Sequence, residues 1–346
     1  MTGLRVLQAM AGAPHGGAEA FFTRLVIALH RAGLSQRVVI RRDAARAAKL
    51  RAAGIEPIEL PFGGLLDIAT PLALARVLRD FRPQIVLSWM SRATRMMPPR
   101  MLAGGYTHAA RLGGYYDLKY YRRCDHLVGN TRAIVDYARK GGWAAERVHY
   151  LPNFVDAAPA KPVDRAQFDT PQDATLVLGL GRLHPNKGFD AALDAVAKLD
   201  GVWFWLAGEG ELREPLAAQA RRLGIEERVR FLGWREDIAA LLASADMLVC
   251  PSRHEPLGNV VIEAWAQARP VVAAASDGPA ALIVDGKSGL LTPVDDAEAL
   301  AAAIRRVASD PALAAQLAAG GRAAYESGFT EAAVVRDYLD FFKRIA

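Results

Sequence analysis

Glu255-Pro-Leu-Gly-Asn-Val-Val-Ile-Glu263 lies between two short apolar runs, Met247-Leu-Val-Cys250 and Pro270-Val-Val-Ala273. Each run has the length of a buried strand, and the segment between them predicts a helix from about Leu257 through Ala264-Trp265-Ala266. Strand, loop, helix and strand together make the repeating unit of an α/β sheet. The pattern puts Glu255 at a strand's carboxyl end, where ligands bind in open parallel sheets. Glu263 follows about two helical turns later. Between them, the backbone N–H groups around Gly258 and Asn259 open the helix and form a ready anion site. A ligand with phosphate in its middle and hydroxyls at both ends suits this arrangement, and a nucleotide-sugar is such a ligand.

The same alternation extends through the chain. In the first half, apolar runs at Val6–Ala9, Arg37–Ile40, Ile55–Leu60, Ile85–Trp89, Ala109–Leu112, His126–Val128 and Val148–Leu151 predict strands, most of them separated by helical patterns. A glycine-rich loop, Ala11-Gly-Ala-Pro-His-Gly-Gly17, follows the first run and leads into a helix from about Ala18 that ends near Gly33. Residues 156–173 carry three prolines in a polar setting and read as a linker. A second alternation then runs through Leu176–Leu180, Trp203–Leu206, Val229–Leu232, Met247–Cys250, Val271–Ala274 and Leu290–Thr292. The expected organisation is a Rossmann-like domain over 1–155, a second over 174–328, and a helix over 329–346 as a candidate to return to the first. The two doubly wound domains are expected to face each other across a cleft.

A chain of 346 residues exceeds what one core usually supports, which agrees with two domains. Its 52% hydrophobic and 23% charged residues fit a soluble globular protein. Cys124 and Cys250 stand far apart in no metal-like spacing, and reduced thiols of a cytosolic protein are expected. The amino terminus reads as a first strand rather than a signal peptide. No run of about 18 uncharged apolar residues occurs, so no spanning helix is expected.

The net charge of +6 conceals an asymmetry. Residues 1–150 hold 23 Lys and Arg against 10 Asp and Glu, a net of +13, whereas residues 151–346 hold 20 against 27, a net of −7. The basic half should attract an anionic partner in a salt-dependent way. The chain has no recognised nucleic-acid motif, so nucleic acid is not expected. The stretch from Arg92 through Met96, Met97 and Arg100 to Leu102 mixes basic and flexible apolar side chains. It reads either as a peripheral patch on an anionic membrane surface or as an ordinary loop whose methionines belong to the core.

A second motif, Gly179-Leu-Gly181-Arg182-Leu-His-Pro-Asn-Lys187-Gly188-Phe-Asp, follows the first strand of the second domain and precedes a helix from about Phe189. Arg182 offers a planar bidentate fork and Lys187 a compact cation, and together they can clamp a diphosphate. The motif is neither a P-loop, since Lys187 precedes its glycine, nor a dinucleotide fingerprint.

Taken in order, Gly-Arg-Leu…Lys187-Gly188, Gly208-Glu209-Gly210, Phe231-Leu-Gly233 and the two glutamates seven residues apart resemble glycosyltransferase family 4, retaining enzymes of GT-B fold. Gly16-Gly17-Ala18-Glu19 and Pro152-Asn153-Phe154-Val155-Asp156 extend the resemblance over nearly the whole chain. It implies that Arg182 and Lys187 hold the donor diphosphate and that Glu255 faces the transferred sugar. Glu263 would then accept the ribose hydroxyls, and the backbone from Leu257 through Gly258 to Asn259 would contact phosphate. Gly181, Glu209, Gly210 and Trp234 would flank the donor and its base, and Gly16 and Gly17 would let the first domain approach the diphosphate. Outside the resemblance, Glu255 reads as a charge favoured by a helix amino terminus and Glu263 as part of a solvated helix face.

The family's histidine at the end of a first-domain strand has no counterpart here. The corresponding run ends in Gly113-Gly114-Tyr115-Tyr116-Asp117, and His108 lies at its opposite end. His15 and Asp117 are the remaining candidates for contacting acceptor or sugar. The chain has no Asp-x-Asp and no cluster with ligand spacing, so no metal and no cofactor are expected, with the nucleotide-sugar as substrate. The reading is a retaining, metal-independent hexosyltransferase acting on a glycolipid or polysaccharide of the cell envelope, lipopolysaccharide included. It would lie in the cytoplasm or at the inner face of the plasma membrane. Alternatives are an epimerase or phosphorylase on the same fold, or an inactive carbohydrate-binding relative.

Overall fold

The computed structural model describes residues 3–14, 16–64, 66–155 and 158–346. The chain divides into two compact units, Met1–Asn153 with Glu331–Ala346, and Phe154–Thr330. In the first, strands β1 (Arg5–Met10), β2 (Ser35–Arg41), β3 (Ile58–Leu60), β4 (Ile85–Trp89), β5 (Thr107–Leu112), β6 (His126–Gly129) and β7 (Val148–Tyr150) form one parallel sheet in the order β3-β2-β1-β4-β5-β6-β7. In the second, β8 (Thr175–Leu180), β9 (Val202–Ala207), β10 (Val229–Gly233), β11 (Met247–Cys250), β12 (Val271–Ala274) and β13 (Leu290–Thr292) form another, ordered β10-β9-β8-β11-β12-β13 and again parallel.

Helices on both faces bury these strands, which is why they read as near-continuous apolar runs. Along β8, Leu176, Leu178 and Leu180 enter one core while Val177 enters another on the opposite face. Gly179 permits close packing there: a Cβ would stand 2.9 Å from the Phe204 ring and 3.0 Å from that of Phe189. Strand order reverses between β1 and β4 in the first sheet and between β8 and β11 in the second. Loops leaving the carboxyl ends of β8 and β11 therefore flank one switch point, the usual ligand position in such sheets.

Most strands differ from the expected runs by a residue or more at an end, and two of the differences have a clear physical cause. The run at Ile55–Leu60 yields only Ile58–Leu60, because the Ile55 N–H closes the preceding helix on the Leu50 carbonyl at 3.0 Å and Pro57 has no N–H to give a ladder. Strand β5 begins at Thr107, not Ala109, so His108 lies inside it and is 4% exposed. Its Nε2 is 2.8 Å from Ser88 Oγ, and its backbone N–H donates to Asp125 Oδ2 at 2.8 Å.

Residues 158–173, the segment with the prolines, fall within the second unit. Val163 and Phe168 pack against its core, Trp205 Nε1 donates to Thr170 Oγ1 at 2.8 Å, and Arg165 pairs with Asp246 at 3.2 Å. The C-terminal helix, Glu331–Ile345, groups with the first unit. Its buried stripe includes Val334, Tyr338, Phe341 and Phe342 at helical spacing. Arg111 of β5, 1% exposed, donates through Nε to the Tyr338 hydroxyl at 2.9 Å and through Nη2 to Asn153 Oδ1. The same guanidinium lies 4.8 Å from the Phe21 ring centre and 4.5 Å from that of Trp89.

The helix also covers two histidines of neighbouring strands. His126 Nδ1 is 3.1 Å from His149 Nε2, and the Phe341 ring lies 4.8 Å from that of His149. Burial is the main force pushing His149 down to about 4, with His126 adding to it, and burial alone does most of the same to His108, also about 4. Both imidazoles stay neutral in the folded chain, whereas in the unfolded chain they titrate near 6.5. As pH falls below 6.5 the unfolded chain binds protons that the folded chain refuses, so stability declines down to pH about 4. Melting temperatures should thus be level above pH 7 and fall between pH 6.5 and 5. His149→Gln should flatten that slope; a slope identical to the parent's would rule His149 out as its source.

Candidate active site

In the second unit, the loop after β8 turns back at Gly181, whose N–H donates to the Ala207 carbonyl at 3.0 Å. Leu183 N–H donates to the Glu209 carbonyl at 2.9 Å, and Gly208 N–H to that of Gly233 at 2.8 Å. Gly181, Glu209, Gly210 and the end of β10 are thereby laced together at the sheet's carboxyl edge. Trp234, next to Gly233, is 64% exposed.

Beyond Arg182, a single 3₁₀ turn, Pro185–Lys187, is capped by His184, whose Nδ1 accepts from Asn186 N–H at 3.2 Å. The loop after β11 docks on that turn: the N–H groups of Arg253 and His254 both reach the Asn186 carbonyl, at 2.9 and 3.1 Å. Gly188 makes the approach possible. It has φ +63°, and a Cβ there would stand 2.2 Å from the Pro251 carbonyl oxygen. Docking places Lys187 against Glu255, with Nζ paired to Oε2. The other carboxylate oxygen, Oε1, lies 3.3 Å from the Gly258 N–H, and the Glu255 carbonyl accepts from Gly278 N–H at 2.7 Å. Gly278 must lack a side chain, since a Cβ would stand 2.5 Å from that same carbonyl oxygen.

The helix begins at Asn259, not near Leu257, and runs to Ala266, with Gly258 capping it at φ +81°. Glu263 is partly exposed on that helix, and Leu257 is buried. Arg182 is exposed at the β8 edge and has no ion-pair partner among the described residues. The second unit therefore brings Arg182, Lys187, Glu255, Gly258 and Asn259 to the loops flanking its switch point. The arrangement joins two cations, one carboxylate and the amino end of an eight-residue helix, which is chemistry suited to a phosphate bearing a polar group. Among the described residues, no group of three or more His, Cys, Asp or Glu is placed to hold a metal ion.

Several contributors escape sequence reading. Arg253 forks onto Asp190 at 2.7 and 2.8 Å and meets Asp295 at 2.6 Å, which steadies the β11 loop. Asp190's carboxyl is held below its usual range by that guanidinium. Ser276, at the carboxyl end of β12, is 5% exposed, and its hydroxyl has no hydrogen-bond partner among the described residues. The Cys250 thiol is pushed up to about 11, chiefly by burial, so it stays protonated and inert.

In the first unit, Gly16 and Gly17 are exposed at the start of the helix Gly17–Arg31. The glycine-rich loop wraps around buried Glu19: a Cβ at Gly12 would stand 2.6 Å from its Cγ, and one at Gly16 2.2 Å from its Oε2. Glu19 Oε1 accepts from Ala13 N–H at 2.9 Å, while Arg46 Nη2 donates to the Ala13 carbonyl at 2.7 Å. The two peptides that flank the Ala13 α-carbon are thus each held by a side chain. Arg46 lies 33 residues away in a helix with no motif of its own, and no local signal marks it. Asp117 caps the turn Leu118–Tyr121 by accepting from Lys119 N–H at 3.0 Å and pairs with Lys119 Nζ at 2.6 Å. His15 lies outside the described residues.

The model of Glycosyltransferase Family 4 matches residues 15–158, and that of Glycosyl transferases group 1 matches residues 160–324. The lipopolysaccharide core biosynthesis glycosyltransferase LpsE of Rhizobium meliloti (strain 1021) is 39% identical over 331 residues, spanning 94% of this chain and 95% of LpsE. LpsD of the same organism, bearing the same description, is 37% identical over 336 residues and 95% of each chain. Among solved structures, Anabaena HepE in complex with UDP and glucose matches with a TM-score of 0.85 and 24% identity over 99% of this chain and 100% of that one. The chain therefore belongs to glycosyltransferase family 4, and it is a glycosyltransferase of GT-B fold with two Rossmann-like domains.

Proposed function

We propose that this enzyme transfers a hexose from a nucleotide-sugar to a glycolipid or polysaccharide acceptor in building the lipopolysaccharide core, with retention of configuration and without a metal ion. The observation that carries the reading is the Lys187–Glu255 pair beside exposed Arg182 at the switch point of the second unit. Arg182 and Lys187 neutralise the donor diphosphate, and the N–H groups at Gly258 and Asn259 add to the field that receives the leaving phosphate. An incoming diphosphate competes with Glu255 for Lys187, which frees that carboxylate to accept hydrogen bonds from the sugar. Glu263 takes the ribose hydroxyls. The acceptor hydroxyl attacks from the face the nucleotide leaves. The bond from anomeric carbon to phosphate oxygen breaks, the bond to acceptor oxygen forms, and the departing phosphate oxygen takes the acceptor's proton.

LpsE and LpsD are described as lipopolysaccharide core enzymes, which favours transfer over epimerisation or phosphorolysis. The HepE complex makes UDP the first nucleotide to test. A thermal-shift panel of UDP, GDP, ADP and their sugars should give one base that stabilises the protein by roughly 2.7 kcal/mol at a hundred times its dissociation constant. Transfer in the presence of EDTA, with the product's anomeric configuration read by NMR, tests the rest. An inverted product, activity lost to EDTA, or turnover without an acceptor would each overturn the corresponding part.

The basic first unit supports an anionic membrane surface as a further partner, at the inner face of the plasma membrane. Leu66 and Met101 are 94% and 98% exposed there, while Met97 is buried in the core. No helix among the described residues is long and apolar enough to cross a membrane.

A further inference from the structure

The amino ends of β5, β6 and β7 in the first unit border a cavity of about 410 Å³. The glycine-rich loop leaves the carboxyl end of β1 in the same parallel sheet, so the cavity and that loop stand at opposite edges of it. Four arginines line the cavity, Arg100, Arg122, Arg123 and Arg147, against one carboxylate, Asp125. Asp125 is already engaged: its Oδ2 pairs with Arg100 and accepts from His108 N–H at 2.8 Å. Three positive charges are left without a carboxylate among the lining groups. Two of the three forks are also fixed. Arg147 donates through Nη2 to the Cys124 carbonyl at 2.8 Å, and Arg123 through Nη2 to that of Met97 at 3.0 Å. A guanidinium has five N–H donors, and these carbonyl bonds use one or two of them. The rest form a preset array of planar donors, the chemistry that matches phosphate oxygens. Beside Arg100, the cavity's rim continues into Met101 and Leu102, 98% and 54% exposed.

We propose that this cavity is a binding site for a phosphate group, separate from the donor machinery of the second unit and independent of the transfer reaction assigned to it. The group arrives either as a soluble phosphate or as the headgroup of an anionic lipid, whose chains the apolar rim would meet. The two sources share the same contacts with the arginine forks.

The test uses the full chain with two probes at constant ionic strength, inorganic phosphate by calorimetry and vesicles of phosphatidylglycerol in phosphatidylcholine by flotation. Arg123→Lys with Arg147→Lys keeps the net charge but removes the planar forks. Arg122→Ala removes one charge from an exposed position and should weaken binding while the chain stays folded. Saturable phosphate binding that weakens tenfold or more in the lysine variant identifies a soluble ligand. Vesicle binding that weakens likewise, and that phosphate competes away, identifies the headgroup. Binding of neither probe overturns the site, and so does equal binding by parent and lysine variant, since a diffuse field depends only on charge. If phosphate sat instead on Arg182 and Lys187, its affinity would fall in Arg182→Ala and persist in the lysine variant, which also overturns the proposal. Nucleotide binding, read separately, reports on the donor site whichever way this result falls.

Discussion

Arg182→Ala is expected to lower kcat/KM by about 10²- to 10³-fold, the range seen when one donor aimed at developing charge is removed. Stability should hardly change, because the side chain is exposed and has no ion-pair partner among the described residues; such positions usually shift stability by within about 0.5 kcal/mol. The loss should fall mainly on kcat, since the leaving phosphate carries more charge in the transition state than the bound diphosphate does beforehand. Arg182→Lys should recover little: it restores the charge but not the bidentate fork. Steady-state kinetics with the nucleotide-sugar chosen by the panel, alongside thermal melts, checks both parts. Near-parental turnover in Arg182→Ala would remove Arg182 from the mechanism and leave Lys187 as the principal cation.

The contrast with Lys187 shows how far sequence reading reaches. Both cations are visible as one motif after a strand, and the motif's distance from Glu255 is plain. What spacing does not convey is that Lys187 pairs with Glu255 through a turn whose Asn186 carbonyl receives two N–H groups of the β11 loop. That contact joins residues 68 apart and depends on β8 and β11 being neighbours in the sheet. Strand runs are legible because burial on both faces makes them continuously apolar. The start of β5 is not, because Thr107 and His108 are polar by type, yet their backbone N–H groups are met by Gln84 and Asp125 and the His108 ring by Ser88. Arg46 and Arg111 are illegible for a related reason. An arginine in a helix or strand reads as surface, and only tertiary packing puts Arg46 on the Ala13 carbonyl or Arg111 between two aromatic rings. The glycines fall between these cases: Gly188 and Gly258 are marked by motif, whereas the need for Gly278 comes from the Glu255 carbonyl lying against it.

Gly188→Ala should be among the most damaging single-methyl additions in the second unit. The residue has φ +63°, where an L side chain costs roughly 1–2 kcal/mol. Its added Cβ would also stand 2.2 Å from the Pro251 carbonyl oxygen, a contact that only backbone movement relieves. Together these should cost about 3 kcal/mol or more, which for a domain of this size lowers the melting temperature by roughly 6–12 °C. Gly201→Ala is the internal control. It has a closely similar φ, +67°, but nothing within 4 Å of the added atom, so it bears the conformational cost alone. The difference between the two melts isolates the contact with Pro251. Activity should separate them further. The movement that relieves Gly188→Ala pushes the β11 loop away from the turn over Pro185–Lys187, parting Lys187 from Glu255 and lowering kcat and raising KM together. Gly201→Ala should leave both near parental values. Equal melting temperatures for the two variants would mean that the loops can part at little cost, and the Lys187–Glu255 pair would then be a loose surface contact rather than the fixed platform on which the diphosphate exchange depends.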